Sequence, residues 1–125
     1  MKHPFQSAVA NGGNAALVQP SNWNDVHIIS WRSISSGYSA QESDDGILIT
    51  TASAIALPAA SAQSGQTYII KHGPNTGAGV SGITPNGTDT IDGVTGSNAW
   101  ELVNANQFVI LSSDGVSNWM VVGGN

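Results

Sequence analysis

Five carboxylates are the first residues of this sequence that could do chemistry: Asp44 and Asp45, Asp89 and Asp92, and Glu101. Two carboxyl groups at a suitable separation can act as acid and base in glycoside hydrolysis. Asp44, Asp45 and Asp92, however, stand in glycine-containing turns, where aspartate is favoured because it hydrogen-bonds the turn backbone. We therefore expect no catalytic pair. Calcium at either aspartate pair is the weaker alternative, since neither pair matches a recognisable calcium loop.

The other reactive side chains form no motif. His3, His27 and His72 lie far apart, without metal-ligand spacing, and are expected to be surface or turn residues. There is no cysteine, and no serine lies in a G-x-S-x-G elbow. Residues 77–82 match G-x-G-x-x-G as a string, but no helix is predicted after them to bind a phosphate. The sequence thus predicts no enzyme activity, no cofactor and no metal.

Charge narrows the possible partners further. Only 9% of the residues are charged and the net charge is −5, with Lys2, Arg32 and Lys71 as the fixed cations. Nucleic-acid binding needs clustered cations, so we expect none. No apolar run reaches the length of a membrane helix. The first residues lack the continuous apolar region of a signal peptide, so we expect synthesis in the cytoplasm.

The strongest structural signal lies in residues 107–122, QFVILSSDGVSNWMVV. Two apolar, β-branched or aromatic runs flank Asp114-Gly115, a dipeptide that favours the positive φ angles of tight hairpin turns. The sequence therefore predicts a β-hairpin here. A lone hairpin is marginal in water, so the upstream chain must pack against it.

The upstream residues predict further short strands separated by turns. The clearest strand is TYIIKH, residues 67–72, and Val26 to Ile34 forms another, with imperfect alternation. About eight to ten strands and no long helical period favour an all-β fold. We predict an antiparallel β-sandwich or jelly-roll-like domain over residues 28–125.

Residues 1–27 differ from the rest and predict an extended N-terminal arm. They contain Pro4, Pro20 and the cluster Asn11 to Asn14, with no sustained period of 2 or 3.6 residues. A fully extended arm of this length would span up to roughly 90 Å. It carries apolar residues that a disordered linker usually lacks, and these either fold back on the domain or, as we favour, anchor the arm in a partner. They are Phe5, Val9, Leu17, Val18 and Trp23.

Four tryptophans, Trp23, Trp31, Trp100 and Trp119, are many for a chain with only two tyrosines and two phenylalanines. Exposed indoles on a β-sandwich can stack on sugar rings, as in a carbohydrate-binding module. We favour core and subunit-interface packing, where tryptophan buries a large area.

Two patterns in the chain resemble bacteriophage virion proteins. Residues 3–27, HPFQSAVANGG…ALVQPSNWNDVH, are similar to the opening segment of phage tail-fibre and related proteins, with Asn22 where aspartate is usual. The remainder resembles a recurrent phage β-module whose strands and turns carry LPAA, a Ser-Gly segment ending in Ile-Lys, I-x-P-x-G, D-x-IDG and a final SDG-x-x-NW-x-x-x-G box. In this chain those motifs are residues 57–60, 64–71, 83–87, 89–93 and 113–123.

The resemblance implies a non-enzymatic structural protein, usually a homotrimer, on the virion surface and assembled in the host cytoplasm. We expect a capsid decoration (cement) protein whose arm, residues 1–27, contacts the major capsid protein. The alternatives are a short tail-fibre or receptor-binding component that contacts tail or baseplate proteins, and a carbohydrate-binding module. A host-surface glycan is a further possible partner.

Overall fold

The structure, a computed structural model that describes residues 29–62 and 64–125, contains short strands and a single 3-10 turn, Ala60–Ala62. The all-β prediction is confirmed for this part of the chain. The strands are β1 (Trp31–Ile34), β2 (Tyr38–Ser39), β3 (Gly46–Ile49), β4 (Ile55–Ala56), β5 (Thr67–His72), β6 (Ser81–Thr84), β7 (Thr90–Ile91), β8 (Trp100–Leu102), β9 (Phe108–Ser113) and β10 (Asn118–Gly124).

Successive strands alternate between two sheets. The six-stranded sheet has the order β1-β3-β5-β9-β10-β7, and the four-stranded sheet has the order β2-β4-β6-β8. The strand pairs β1–β2, β3–β4 and β5–β6 thus form three coils stacked in the manner of a short β-solenoid. The hairpin β9–β10 then extends the larger sheet beyond the last coil.

The prediction of antiparallel pairing is wrong for five of the eight pairs of named strands. Pairing is parallel for β1–β3, β3–β5, β2–β4, β4–β6 and β7–β10, and antiparallel only for β5–β9, β9–β10 and β6–β8 among the named strands. The reason is topological. Along the three coils the chain crosses to the other sheet and returns in its original direction, so β1, β3 and β5 are parallel, as are β2, β4 and β6. The β9–β10 hairpin reverses the chain, and the β6–β8 and β5–β9 pairs are antiparallel although other strands separate their members in sequence.

One hydrophobic core lies between the inner faces of the two sheets. Alternate residues of β3, β5 and β9, such as Ile47, Ile70 and Leu111, are fully buried, and β4, β6 and β8 contribute Ile55, Ile83 and Leu102 from the opposite side. Strand alternation therefore assigns one face of each sheet to the core.

The predicted hairpin is present, although its turn differs from the predicted one. The connection between β9 and β10 has four residues, and of Asp114 and Gly115 only Gly115 has a positive φ, 78°. The Asp114 carboxylate instead accepts the backbone N–H groups of Val116, Ser117 and Asn118 at 2.8–3.0 Å. These hydrogen bonds, the one from Val116 first, lower the pKa of Asp114.

The predicted strand positions agree with the structure better than the predicted pairing does. β5 has the predicted bounds, and the other predicted strands are present but mostly shorter, while β2 was not predicted. Residues 1–27 lie outside the described residues, so the predicted arm stays a prediction. Within the described ranges, no helix is long and apolar enough to cross a membrane.

Val109 and Val116 give a matched test of the inside–outside assignment. Val109 is 0% exposed in β9, and Val116 is 69% exposed in the hairpin turn. Val109→Ala removes two buried methyl groups and leaves a cavity, so it should lower the free energy of unfolding by about 2–3 kcal/mol. Val116→Ala should change it by less than about 0.5 kcal/mol in urea unfolding. Similar losses in both variants would contradict the assigned faces.

Candidate functional site

The arrangement closest to a catalytic site is a buried contact between His72 and Ser81. His72, the last residue of β5, and Ser81, the first of β6, are both 0% exposed. The His72 Nε2 lies 2.7 Å from Ser81 Oγ, and its Nδ1 lies 3.0 Å from the carbonyl oxygen of Asn104. The Ser53 backbone N–H donates to the same Ser81 Oγ at 3.0 Å. The contacts join both sheets and the loops beside them.

Every polar group of this network has a partner in one tautomer of His72. The Asn104 carbonyl can only accept, so Nδ1 carries the hydrogen and Nε2 accepts the hydroxyl hydrogen of Ser81. Although serine, histidine and an acceptor occur in the order of a hydrolase triad, no substrate atom can approach a hydroxyl with no accessible surface. The network therefore acts as a cross-link between the sheets.

The expectation that His72 is a surface or turn residue is wrong. Its side chain lies on the inner face of β5, together with Tyr68 and Ile70. Strand alternation in TYIIKH contained this signal, because residues 68, 70 and 72 must share a face. The partnership with Ser81 had no comparable sequence signal. His3 and His27 lie outside the described residues.

A second polar cluster surrounds Asp44, whose side chain is 3% exposed. The Arg32 Nε donates to Asp44 Oδ1 at 2.7 Å, and the Tyr38 hydroxyl and the Gln41 backbone N–H donate to Oδ2 at 2.6 and 2.9 Å. The Arg32 guanidinium also lies over the Tyr38 ring, 5.4 Å from its centroid. Because these groups come from β1, from β2 and from the turn before β3, the cluster fixes the first coil to the second.

The pKa of Asp44 lies below its ordinary value of 3.8. Burial by itself raises this pKa, but the hydrogen bonds from Arg32, Tyr38 and Gln41 and the Arg32 charge together outweigh burial. Asp44 is thus a buried carboxylate kept ionised by its neighbours, unlike a catalytic acid, which needs a raised pKa. Next to it, burial and then the Asp44 charge raise the pKa of Tyr68 to about 12, and its hydroxyl donates to the Gln41 carbonyl oxygen.

The remaining aspartates of the described chain also accept backbone N–H groups. Asp45 accepts from Ser30, Asp89 from Ala60 and Asp92 from Val121, at 2.8–3.2 Å. Each of these three carboxylates therefore joins segments that are 15 or 29 residues apart in sequence. The predicted bond to the turn's own backbone is present at Asp44, which accepts from Gln41. Glu101 is exposed on β8. Among the described residues, no three acidic, histidine or cysteine side chains group closely enough to hold a metal ion.

The tryptophans divide between core and surface. Trp119 is fully buried, packs on Tyr68 with ring centroids 5.3 Å apart, and donates from Nε1 to the Pro58 carbonyl oxygen at 3.3 Å. Trp100 packs against the core while partly exposed, beside a shallow hollow lined by residues 98–101. Trp31 is 48% exposed. Core packing thus accounts for Trp119, and Trp31 is the described tryptophan whose indole is open to a ligand or another protein.

The glycine string at residues 77–82 runs into β6 and not into a helix. The predicted partner-binding residues of the arm lie outside the described residues, so the structure neither brings them together nor separates them. They are Phe5, Val9, Leu17, Val18 and Trp23.

No family model, no curated protein and no solved structure matches this chain. The functional argument therefore depends on the residues themselves.

Ser81→Ala tests the structural role of the buried network. The change leaves the Ser53 N–H and His72 Nε2 without their partner, and it should lower the free energy of unfolding by about 1–3 kcal/mol. Ser39→Ala, in the exposed part of β2, is the control and should change it by less than about 0.5 kcal/mol. A fluorophosphonate probe should not label Ser81 in the folded protein; labelling that Ser81→Ala abolishes would show a reactive serine instead.

Asp44 predicts a loss of stability in acid. Its folded-state pKa lies below the unfolded value, so its stabilisation is complete above the unfolded pKa and is lost as the pH falls through the folded one. Carboxyl-carbon NMR should show Asp44 titrating below 3.8. In Arg32→Met, which removes the donor and charge but keeps a long side chain, the pKa of Asp44 should rise. A wild-type value at or above 3.8 would contradict this account.

Proposed function

We propose that this protein is a non-enzymatic structural component of a bacteriophage particle, a homotrimer displayed on the virion surface and attached through residues 1–27. Within that class we favour a capsid decoration protein whose partner is the major capsid protein. The two segments that resemble phage virion proteins, residues 3–27 and the motifs between residues 57 and 123, support the phage assignment.

The observation that carries the structural part of the proposal is the use of the chain's reactive groups. Asp44, Asp45, Asp89, Asp92 and Asp114 all accept backbone N–H groups, and the Ser81–His72 pair is sealed in the core. These carboxylate, hydroxyl and imidazole groups hold loops and sheets in place through hydrogen bonds. This supports a scaffold and not an enzyme.

The arm favours decoration over a tail role. A segment that could reach roughly 90 Å when extended is long enough to contact more than one neighbouring capsid subunit. A tail component that binds a host glycan is the second candidate, favoured by the exposed Trp31 indole, since sugars stack on exposed aromatic rings. The two candidates differ most plainly in copy number.

Copy number in purified particles tests the proposal. Densitometry of the 12.8 kDa band against the major capsid protein should give a ratio near one or a simple fraction of it. A trace band would place the protein in the tail. The absence of any band in intact particles would contradict a virion role altogether and favour the carbohydrate-binding module.

The arm is tested by substitution at constant length. Replacing Phe5, Val9, Leu17, Val18 and Trp23 with serine should abolish binding to particles that lack the protein, while the circular dichroism spectrum stays that of the parent. Deletion of residues 1–27 should have the same effect. The control is Val94→Ser, an exposed site on the folded domain, which should bind normally. Unfolding of the arm variants would contradict a separate attachment segment and indicate that residues 1–27 pack on their own domain.

A further inference from the structure

The outer face of the six-stranded sheet carries six large apolar side chains, in contrast to the outer face of the other sheet. Trp31 is 48% and Met120 38% exposed, and the other four are half-buried. We refer to this surface as the outer apolar face. Its apolar residues are Trp31, Leu48, Ile69, Phe108, Ile110 and Met120.

Strand register makes these side chains neighbours. Trp31 pairs with Gly46, Gly46 with Ile69, Ile69 with Ile110, and Ile110 with Gly123, so one row crosses five strands. A second row places Leu48 beside Lys71 and Phe108, and a third ends at Met120. At about 4.8 Å between strands and about 3.3 Å per residue, the face measures roughly 20 by 17 Å.

Glycine occupies two positions of the first row of this face, Gly46 and Gly123. The Trp31 indole lies directly over Gly46, where an added Cβ would come within 2.6 Å of the ring. At Gly123 an added Cβ would lie 3.2 Å from Ile110 Cδ1. Gly46 thus makes room for the Trp31 indole, which covers the strand there, and Gly123 makes room for the Ile110 side chain.

The sequence of these strands is that of a sheet covered on both sides. Ile47-Leu48-Ile49, Tyr68-Ile69-Ile70 and residues 108–111 are apolar without interruption, although only alternate residues face the core. Strands with one solvated face alternate between apolar and polar residues, whereas strands buried on both faces read as continuous apolar runs. We therefore expect another protein surface to pack on the outer apolar face of this sheet.

Charge indicates which surface two copies can share. The paired rows of the outer apolar face contain no carboxylate, and their one charged residue, Lys71, donates to the Asn106 carbonyl oxygen at 2.8 Å. The outer face of the four-stranded sheet carries Glu101 opposite Gly82. Because the chain has a net charge of −5, the repulsion between two copies is smallest when the contacting surfaces contain no carboxylate.

We propose that a second copy of this chain packs on the outer apolar face, which is the self-association surface of the homotrimer. This deepens the proposed function and rests on its oligomeric part. A standard interface removes roughly 800 Å² per partner, with an apolar centre and a polar rim. The outer apolar face supplies the centre, and Ser33, Thr67 and Ser112 of the same rows supply polar rim groups.

Sedimentation velocity of the full chain tests this surface. The wild type at tens of micromolar should sediment as an oligomer. Met120→Glu and Ile110→Glu place a carboxylate in the face and should weaken association at least a hundredfold, because a charge is buried without a partner. The matched control is Val116→Glu, which adds the same charge at a site 69% exposed in the hairpin turn and should leave the oligomer intact.

Because the chain contains no cysteine, a single introduced thiol can be cross-linked specifically. Cross-linking gives a second readout of association, and it does not depend on adding a charge to the protein. Met120→Cys should form covalent dimers with a short bis-maleimide, and Val116→Cys should not. Unchanged circular dichroism and an unchanged urea midpoint at low concentration show that each variant is folded.

A monomeric wild type would overturn the proposal and would indicate that residues 1–28 or a different protein cover the face. An oligomer that survives both glutamate variants, with no cross-link through Met120→Cys, would also overturn it. A dimer lost in the face variants would support this surface while contradicting the homotrimer. Copy number in particles is measured separately, so a virion role can stand or fail whichever result is found here.

Discussion

The burial of one face of the six-stranded sheet is the constraint on which the rest of the structure depends. Ile47, Ile70, Leu111 and Trp119 come from four neighbouring strands and share one core with residues of the smaller sheet. Since strand residues alternate between faces, this burial also determines which polar groups enter the core. His72 is buried because it follows Tyr68 and Ile70 at intervals of two. Ser81 supplies the partner that a buried imidazole requires.

The two-sheet arrangement also determines what the few charged residues of this chain do. A chain that crosses repeatedly between two sheets has many tight connections, and their backbone N–H groups need acceptors. Aspartate meets this need with a short side chain that can accept several hydrogen bonds, as Asp114 does from three successive residues. Asp44 performs the same task in a nearly buried position, where Arg32 and Tyr38 offset the cost of burying its charge. The five described aspartates thus stabilise the fold through hydrogen bonds to backbone N–H groups.

Local signals in the sequence were sufficient to locate most strands, and insufficient for β2, for the type of the hairpin turn and for the arrangement of the strands. β5 was predicted with its observed bounds because TYIIKH combines β-branched and aromatic residues between turn-forming segments. Asp114-Gly115 correctly marked a hairpin. The direction of pairing was not predictable in the same way, because it depends on the path of the chain between two strands, which crosses to the other sheet both in the parallel pair β1–β3 and in the antiparallel pair β6–β8. The first of these crossings involves β2, only two residues long, which has no period to detect.

The candidate site shows the same division between local and long-range information. Alternation in β5 contained the inward position of His72, but nothing in the sequence paired it with Ser81 or with the Asn104 carbonyl, since these contacts join separate loops. The turn contact of Asp44 was recognisable because it is local, whereas the partners of Asp45 and Asp92 lie 15 and 29 residues away and left no local signal. The arm residues Phe5 and Trp23 remain predictions, as no described contact bears on them.

The two faces of the six-stranded sheet have different consequences for function. The inner face is complete within one chain, with its buried histidine and serine satisfied by partners in the same molecule. The outer face has the composition of a covered sheet and, within the described chain, Trp31 and Met120 remain open on it. An apolar face without carboxylates is suited to protein–protein packing, because interface centres are apolar and depleted in charged residues.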